Sequence, residues 1–106
     1  MFTVRYHPEA EQEADTLPVN IRAKFDRLVM KLEQDPRALR EPDTKSLGNG
    51  LFELRTQGTD IARGIWVYQK GSVIVMLRIF IKKTNKTPRA ELETAKKRLE
   101  EIINES

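Results

Sequence analysis

The sequence contains no cysteine and a single histidine, His7, in 106 residues. The lack of cysteine excludes disulfide bonds, thiolate zinc sites and a cysteine nucleophile, and one histidine excludes a metal site made from paired histidines of one chain. No apolar run approaches the roughly 18 residues of a membrane-spanning helix, and the N-terminus turns acidic where a signal peptide needs its apolar run. These absences predict a soluble cytoplasmic protein that does not enter a membrane.

Glycine and proline are also scarce, at five residues each, which argues against a disordered or linker-like chain. Hydrophobic residues make up 39% and charged residues 33% of the sequence, so the core must be small. The length suits one compact domain and hardly two. We therefore expect a single domain that spans residues 1–106.

Positive charge is concentrated in the middle of the chain. Residues 51–90 carry 8 basic and 2 acidic side chains, although the net charge of the whole chain is only +3. A basic region between near-neutral or acidic ends indicates a surface that faces a polyanion. Lysines and arginines that only keep strand edges soluble explain the same charges, so both interpretations stay open.

Hydrophobic periodicity predicts the element order β-α-α-β-β-β-α. A short strand at Phe2–Tyr6 precedes a helix that opens at Pro8, and a second helix with one apolar face covers about residues 20–34. Residues 36–50 contain prolines and glycines without any period and predict a long loop. Three strands and a final amphipathic helix follow.

The last predicted strand indicates how the elements pack. Residues 72–81 are apolar on both faces except for Arg78, which is typical of a central strand covered on both sides. The turns between the last three strands are short, so these strands pair antiparallel. The most economical packing sets the helices against one face of a mostly antiparallel sheet, which defines an α+β fold.

The turn between the last two predicted strands decides which side chains are neighbours. If residues 70–71 form a two-residue turn, Arg63 lies opposite Arg78 and both point to the same face. Adjacent guanidinium groups repel and need negative charge, which a bound phosphate supplies because arginine forks match phosphate oxygens. An ion pair with an acid such as Glu53 or Asp60 supplies it as well, and the sequence leaves both open.

The position of Arg55 depends on the turn near Gly58. A three-residue loop pairs Arg55 with Arg63, whereas a loop of two or four residues places Arg55 on the opposite face of the sheet. Glu53 shares the face of Arg55 on their own strand in either case.

Three lysines, Lys82, Lys83 and Lys86, lie between the long strand and the last helix, which Thr87 is expected to cap. Beside the free amides at the start of that helix, these ammonium groups would bind a phosphate. A solvated lysine-rich loop is the alternative.

Two other conspicuous residues are assigned structural roles. His7 precedes the first helix and is predicted to be a surface or capping residue rather than a catalyst. Trp66 lies in the middle of a strand and is predicted to belong to the core, although a base would stack on it if its face were open.

Three segments, LGNGLFELR, ARGIWVY and IVMLRIFIKKTNKTPRAELETAKKRL, together resemble the HigB-like, phage-derived branch of the RelE/ParE toxin superfamily. The most distinctive part is the pattern FxKKTxKTPxxE, which covers residues 80–91. The resemblance extends over nearly the whole chain. It implies the toxin of a type II toxin–antitoxin system with a RelE-like fold.

The resemblance also implies an activity and its partners. RelE and HigB members cut mRNA, usually on the ribosome, by attack of the ribose 2′-hydroxyl on the adjacent phosphorus, and they need no metal or other cofactor. The implied partners are the ribosome, mRNA and a cognate antitoxin, commonly of helix-turn-helix type, in a hetero-oligomer. Two alternatives remain: a ParE-like non-catalytic inhibitor of DNA gyrase, or an inactive phage-derived remnant that binds an antitoxin.

Matching the family motifs residue by residue implies three catalytic residues. Arg63 matches the arginine of the family's YR-x-x-Y strand and would neutralise charge on the phosphate in the transition state. Lys83, with Lys82 beside it, matches a lysine–arginine pair at the end of the long strand and would stabilise the leaving group or donate a proton.

The remaining basic residues are expected to bind RNA. Arg55 matches a basic residue of the ELR strand, Lys86 is a weaker phosphate contact, and Arg78 is included for its predicted position beside Arg63. Glu53 stands where RelE has a lysine, so it is either a general base or the ion-pair partner of Arg55. RelE also uses a tyrosine in its final helix, and this chain has none there.

Overall fold

A computed structural model describes residues 1–58, 60–82 and 86–104. These residues form an α+β domain, and the predicted class and order of elements fit, with one additional strand. The elements are β1 (Thr3–Tyr6), α1 (Pro8–Asp15), α2 (Val19–Gln34), β2 (Thr44–Gly48), β3 (Leu51–Arg55), β4 (Ile61–Gln69), β5 (Val73–Lys82) and α3 (Arg89–Asn104). Within these residues, no helix is long and apolar enough to cross a membrane.

The additional strand β2 lies inside the segment predicted to be a loop, so that prediction is wrong for residues 44–48. A 3-10 turn at Pro36–Ala38 comes first, and β2 then pairs antiparallel with β3. The two strands are joined by Asn49 and Gly50, whose φ angles of 55° and 80° are both left-handed. Asn-Gly at the centre of a two-residue turn is the strongest short-range signal for a hairpin, and its conformation matches the twist of the strands.

The five strands form one sheet in the order β1-β5-β4-β3-β2, in which β1 runs parallel to β5 and the other neighbours are antiparallel. One face packs against α1 and α2, and the other packs against α3. The prediction that helices cover a single face is therefore wrong. Strand β5 is apolar on both faces, as predicted, and both faces must be covered to remove that surface from water.

Close packing of α2 on the sheet depends on a glycine in β4. A Cβ atom on Gly64 would lie 2.6 Å from Cζ of Phe25 and 2.7 Å from Sδ of Met76. The Phe25 ring of α2 is fully buried at this point. The absence of a side chain at Gly64 thus sets how closely α2 approaches the sheet.

The pairing of β4 with β5 differs from the prediction. The turn has three residues, 70–72, and a bulge in the middle of the hairpin shifts the register once more. Arg63 lies opposite Phe80, whereas Arg78 lies opposite Ile65. The predicted placement of Arg63 directly opposite Arg78 is therefore wrong, because neither the turn length nor the bulge was anticipated.

A buried polar network joins α1, β5 and α3. Arg98 of α3 donates one hydrogen bond of 2.8 Å to each carboxylate oxygen of Glu13 and one of 2.9 Å to the Leu77 carbonyl. Arg78 of β5 also pairs with Glu13, and its Nε donates to Glu91 at 3.0 Å. These bonds help to hold α3 against the sheet, since Ala95 is the buried apolar residue of α3 and its other packed apolar side chains are only partly buried.

Glu13 lies at the centre of this network. Burial raises the pKa of its carboxyl group, but hydrogen bonds from Arg98 and from the backbone N–H of Ile79, with the positive charges of Arg78 and Arg98, lower it by more. The net result is a pKa below the ordinary value of the group. Ionised Glu13 therefore stabilises the folded state.

We expect Glu13→Gln to lower the free energy of unfolding by about 2 kcal/mol at neutral pH, because two arginines lose a charged acceptor. The stabilisation is complete above the unfolded pKa of 4.5 and disappears as the pH falls through the lower folded pKa. Urea unfolding at pH 7 and pH 3 tests this, with Glu11→Gln, an exposed acid of the same helix, as control. An equal deficit at both pH values would contradict the role of the Glu13 charge.

We expect Gly64→Ala to destabilise the protein by roughly 1–3 kcal/mol, because the added methyl group overlaps the Phe25 ring. Phe25→Leu removes the ring atoms that clash. The double variant should therefore lose less stability than the sum of the two single variants, which a thermodynamic cycle measures. Additive losses would show that the Phe25 ring does not limit the space at Gly64.

Candidate functional site

Three basic residues lie on the α3 face at one end of the sheet. The register places Arg55 directly opposite Arg63, the arrangement predicted for a three-residue loop. Lys82 lies opposite Ile61, two residues before Arg63, and so shares the face of Arg63. We call Arg55, Arg63 and Lys82 the basic cluster.

A buried carboxylate lies within the basic cluster. Glu53 is 0% exposed, its Oε1 lies 3.3 Å from Nη2 of Arg55, and its Oε2 lies 3.9 Å from Nη1 of Arg63. Arg55 and Arg63 therefore share Glu53 as a counter-charge, which agrees with the interpretation of Glu53 as the ion-pair partner of Arg55 and with the interpretation that an acid pairs with Arg63. Removing Glu53 from water requires such partners, since an isolated buried charge is strongly disfavoured.

Thr87 joins the basic cluster to the start of α3. Its hydroxyl group donates a hydrogen bond to Oε2 of Glu53. Thr87 precedes the first residue of α3, Arg89, by two positions. The sequence predicted Thr87 as a helix cap, and no sequence signal pointed to its contact with β3, because that contact depends on how α3 packs on the sheet.

Arg63 has an unusual environment for an arginine, because its side chain is 0% exposed. Burial lowers the pKa of its guanidinium group, the charge of Glu53 raises it, and the charge of Arg55 lowers it, with a net downward shift. A cation in such a position is stabilised by any further negative charge that reaches it. The electrostatics of Arg63 therefore favour an anionic ligand.

The other predicted site residues are placed differently. Arg78 lies on the same face, but its guanidinium group binds Glu13 and Glu91 and stands 5.8 Å from the centre of the Phe80 ring. Lys86 is exposed before α3, and Lys83 lies outside the described residues. The structure thus brings together Arg55, Arg63, Lys82 and Glu53, and it does not bring Arg78 into direct contact with Arg63.

His7 and Trp66 take structural positions. The Nδ1 atom of His7 accepts a hydrogen bond of 3.1 Å from the backbone N–H of Glu9, and its Nε2 lies 2.9 Å from Oε1 of Glu101. The predicted capping role is confirmed, but His7 is only 7% exposed and is not a surface residue. Trp66 belongs to the core, as predicted.

Within residues 1–58, 60–82 and 86–104, no group of three or more histidine, aspartate or glutamate side chains is arranged to hold a metal ion. The carboxylate in the basic cluster, Glu53, instead has arginines as its neighbours.

Most of the chain matches a known sequence family. Residues 12–100 match the family described as Phage derived protein Gp49-like (DUF891). No curated protein sequence matches the chain significantly.

Solved structures of RelE toxins have the same fold. A mutant of the E. coli toxin RelE in the free state has a TM-score of 0.68 at 13% identity, over 92% of this chain and 96% of that chain. The RelBE2 toxin–antitoxin complex from Mycobacterium tuberculosis contributes a chain with a TM-score of 0.59 at 24% identity, over 76% of this chain and 98% of that chain. The archaeal RelE–RelB complex from Pyrococcus horikoshii gives 0.54 at 20% identity, over 81% and 98%.

The three solved structures are only 13–24% identical to this chain in sequence, so their similarity shows the fold and nothing more. The family match over residues 12–100 identifies the phage-derived family to which the chain belongs. Together they confirm the resemblance drawn from the residues: the chain belongs to the phage-derived Gp49-like family and has the fold of the RelE toxins.

Proposed function

We propose that the protein is the toxin of a type II toxin–antitoxin system and acts as a ribosome-dependent, metal-independent endoribonuclease. The observation that carries the proposal is the convergence of Arg55, Arg63 and Lys82 on one face at one end of the sheet. Negative charge grows on the phosphate during RNA cleavage, and fixed positive groups that meet it lower the barrier. Membership of the Gp49-like family supports the same activity.

The proposed reaction needs only the RNA and basic side chains. The ribose 2′-oxygen attacks the adjacent phosphorus and gives its proton to solvent water, the bond from phosphorus to the 5′-oxygen breaks, and that oxygen gains a proton, which leaves a 2′,3′-cyclic phosphate and a free 5′-hydroxyl group. Arg63 neutralises the charge on the phosphate, and Lys82 with Lys83 stabilises or protonates the leaving oxygen. Arg55 binds the RNA backbone, and Lys86 adds a weaker contact. The ribosome supplies the alignment, which accounts for up to roughly 7–11 kcal/mol of a barrier.

The buried position of Arg63 sets a condition on this reaction. Its side chain has no exposed surface, and the Thr87–Glu53 hydrogen bond lies beside it. A phosphate therefore reaches Arg63 only when the packing around its side chain opens locally. We assign this opening to binding on the ribosome, which restricts cleavage to translated mRNA.

Glu53 acts in this proposal as a positioning residue. Its carboxylate is buried and is engaged by Arg55, Arg63 and Thr87, so it holds the two guanidinium groups side by side. A general base must instead approach the 2′-hydroxyl group of the RNA. Arg78 is omitted from the RNA contacts, because it would have to exchange two carboxylates for a phosphate.

The proposed partner is a cognate antitoxin, of the helix-turn-helix type, in a toxin–antitoxin hetero-oligomer. Two of the structures with this fold are complexes of a RelE toxin with its RelB antitoxin. A toxin that cleaves translated mRNA must be held inactive in the cell that makes it, and a protein partner does so by mass action.

Primer extension on ribosome-bound mRNA tests the nuclease activity. We expect discrete cuts within codons that require ribosomes, and a loss of about 10²–10³ in rate for Arg63→Ala, by analogy with the loss of one oxyanion donor. Because Arg63 is buried, its replacement also affects folding. Arg55→Ala therefore serves as a second variant at a less buried position. Arg27→Ala, an exposed arginine on α2, is the matched control.

Full cleavage by folded Arg63→Ala would remove Arg63 from the site. If wild-type protein made no cuts but still arrested growth on induction, the nuclease proposal would fail and DNA supercoiling would become the next assay. If it neither cut mRNA nor arrested growth, the inactive remnant would be the correct alternative.

We expect Glu53→Ala to lower the free energy of unfolding by roughly 3–5 kcal/mol, because the buried Arg63 and the less buried Arg55 lose Glu53 as a counter-charge. Glu53→Gln keeps the shape of the side chain and should retain more stability. Its cleavage rate should fall by a similar factor at every pH, so that the pH profile keeps its shape. A profile that loses its pH-dependent limb in Glu53→Gln would instead make Glu53 the general base.

A further inference from the structure

A groove opens on the face of the sheet opposite the basic cluster. It has a volume of about 570 Å³ and lies beside β2 and the 3-10 turn. Three aromatic residues line it: Phe52 and Trp66 are stacked with ring centres 4.6 Å apart, and Tyr68 meets both edge-on at 5.6 and 5.2 Å. Tyr68 is 44% exposed, so part of its ring faces solvent at the mouth of the groove.

The rim of the groove is positively charged. Arg37, Arg40 and Lys45 are exposed on it, and of the described residues that line the groove Glu41 alone is acidic. Within the described part of the chain, the side chains of the three basic residues form no ion pair or hydrogen bond. Their charges are thus available to an acidic ligand.

The aromatic geometry favours a peptide over a nucleic acid. Base stacking needs an open ring face, but Trp66 is buried and Phe52 already stacks against it. The partly exposed ring of Tyr68 is flanked by Phe2, Phe52 and Trp66, with ring centres 5.9, 5.6 and 5.2 Å away. An apolar side chain needs only a recess between aromatic and aliphatic walls, which Phe52, Tyr68 and the half-buried Leu39 provide. Carboxylates next to that side chain in the peptide would pair with the rim.

We propose that this groove binds a segment of the antitoxin in which an apolar anchor residue is flanked by aspartate or glutamate. The inference rests on the proposed function, since it takes the antitoxin as partner. The anchor packs on Phe52 and Tyr68, and the acids pair with Arg37, Arg40 and Lys45. Because the groove lies on the opposite face from Arg63, this segment fastens the antitoxin to the toxin without filling the cleavage site.

The single tryptophan of the chain, Trp66, lines the groove and reports on it directly. Toxin labelled with 5-fluorotryptophan has one fluorine resonance. Titration with the unlabelled antitoxin encoded beside the toxin gene should shift or broaden that resonance, and calorimetry gives the Kd. Tyr68→Ala and the double variant Arg37→Glu/Arg40→Glu should each weaken binding about tenfold or more.

Matched controls lie outside the groove. Met30→Ala removes an exposed apolar side chain of α2, and Lys96→Glu/Lys97→Glu reverses two exposed charges of α3. Both should bind antitoxin within about twofold of wild type. Tyr68→Ala should also cleave mRNA as fast as wild type while escaping neutralisation, a separation that general misfolding does not produce.

Three outcomes overturn the inference, and a fourth separates it from the proposed nuclease activity. If the complex forms but groove variants bind normally, the antitoxin docks elsewhere and the proposed function stands. If wild-type toxin does not bind the antitoxin at all, this inference and the partner in the proposed function both fail. If a single-stranded RNA, and not the antitoxin, shifts the fluorine resonance and loses affinity in Tyr68→Ala, the groove is an RNA site. A toxin that binds antitoxin through the groove but cuts no mRNA would keep this inference and refute the nuclease.

Discussion

The hydrogen bonds between Glu13 and Arg98 hold the α3 face together. The sheet is apolar on both sides, and α1 with α2 covers only one of them. Docking of α3 completes the second core and brings Thr87 over the basic cluster. Since most of the apolar side chains of α3 are only partly buried, the charged contact adds geometric specificity to its packing. The candidate site therefore depends on a contact made by residues outside it.

Arg63 and Arg78 are both arginines on the same face of the sheet, but their surroundings suit one to the candidate site and the other to linking elements of the fold. Arg78 has two carboxylate partners from two helices and so joins elements of the fold. Arg63 shares one carboxylate with a second arginine, at a distance of 3.9 Å, and its pKa is lowered by burial. An arginine that already binds two carboxylates has little to gain from a phosphate, whereas the buried guanidinium group of Arg63, which shares Glu53 with Arg55, gains more from added negative charge. The electrostatic surroundings thus separate an anchor from a candidate for catalysis.

Periodicity predicted most of the fold, since the apolar spacing of α2 and the two-sided apolar run of β5 are direct consequences of burial. The hairpin between β2 and β3 was also signalled, by Asn49-Gly50, but the flanking strand is too short and polar to stand out. The bulge in the β4–β5 hairpin has no comparable signal, and one shifted residue was enough to move Arg63 away from Arg78. Glu53 was anticipated as a partner, but its complete burial was not, because α3 packing produces it.

The two proposed activities, RNA cleavage and antitoxin binding, lie on opposite faces of the sheet. The basic cluster lies on the α3 face behind the Thr87–Glu53 contact, and the aromatic groove lies on the α2 face with an open basic rim. A closed site needs free energy to open, which a partner supplies only by binding the open state more tightly. On our proposal the ribosome is that partner for the first face. On the same proposal, an antitoxin held at the second face prevents cleavage without contact to Arg63 if the bound complex is too large to enter the ribosome, since the site then stays closed.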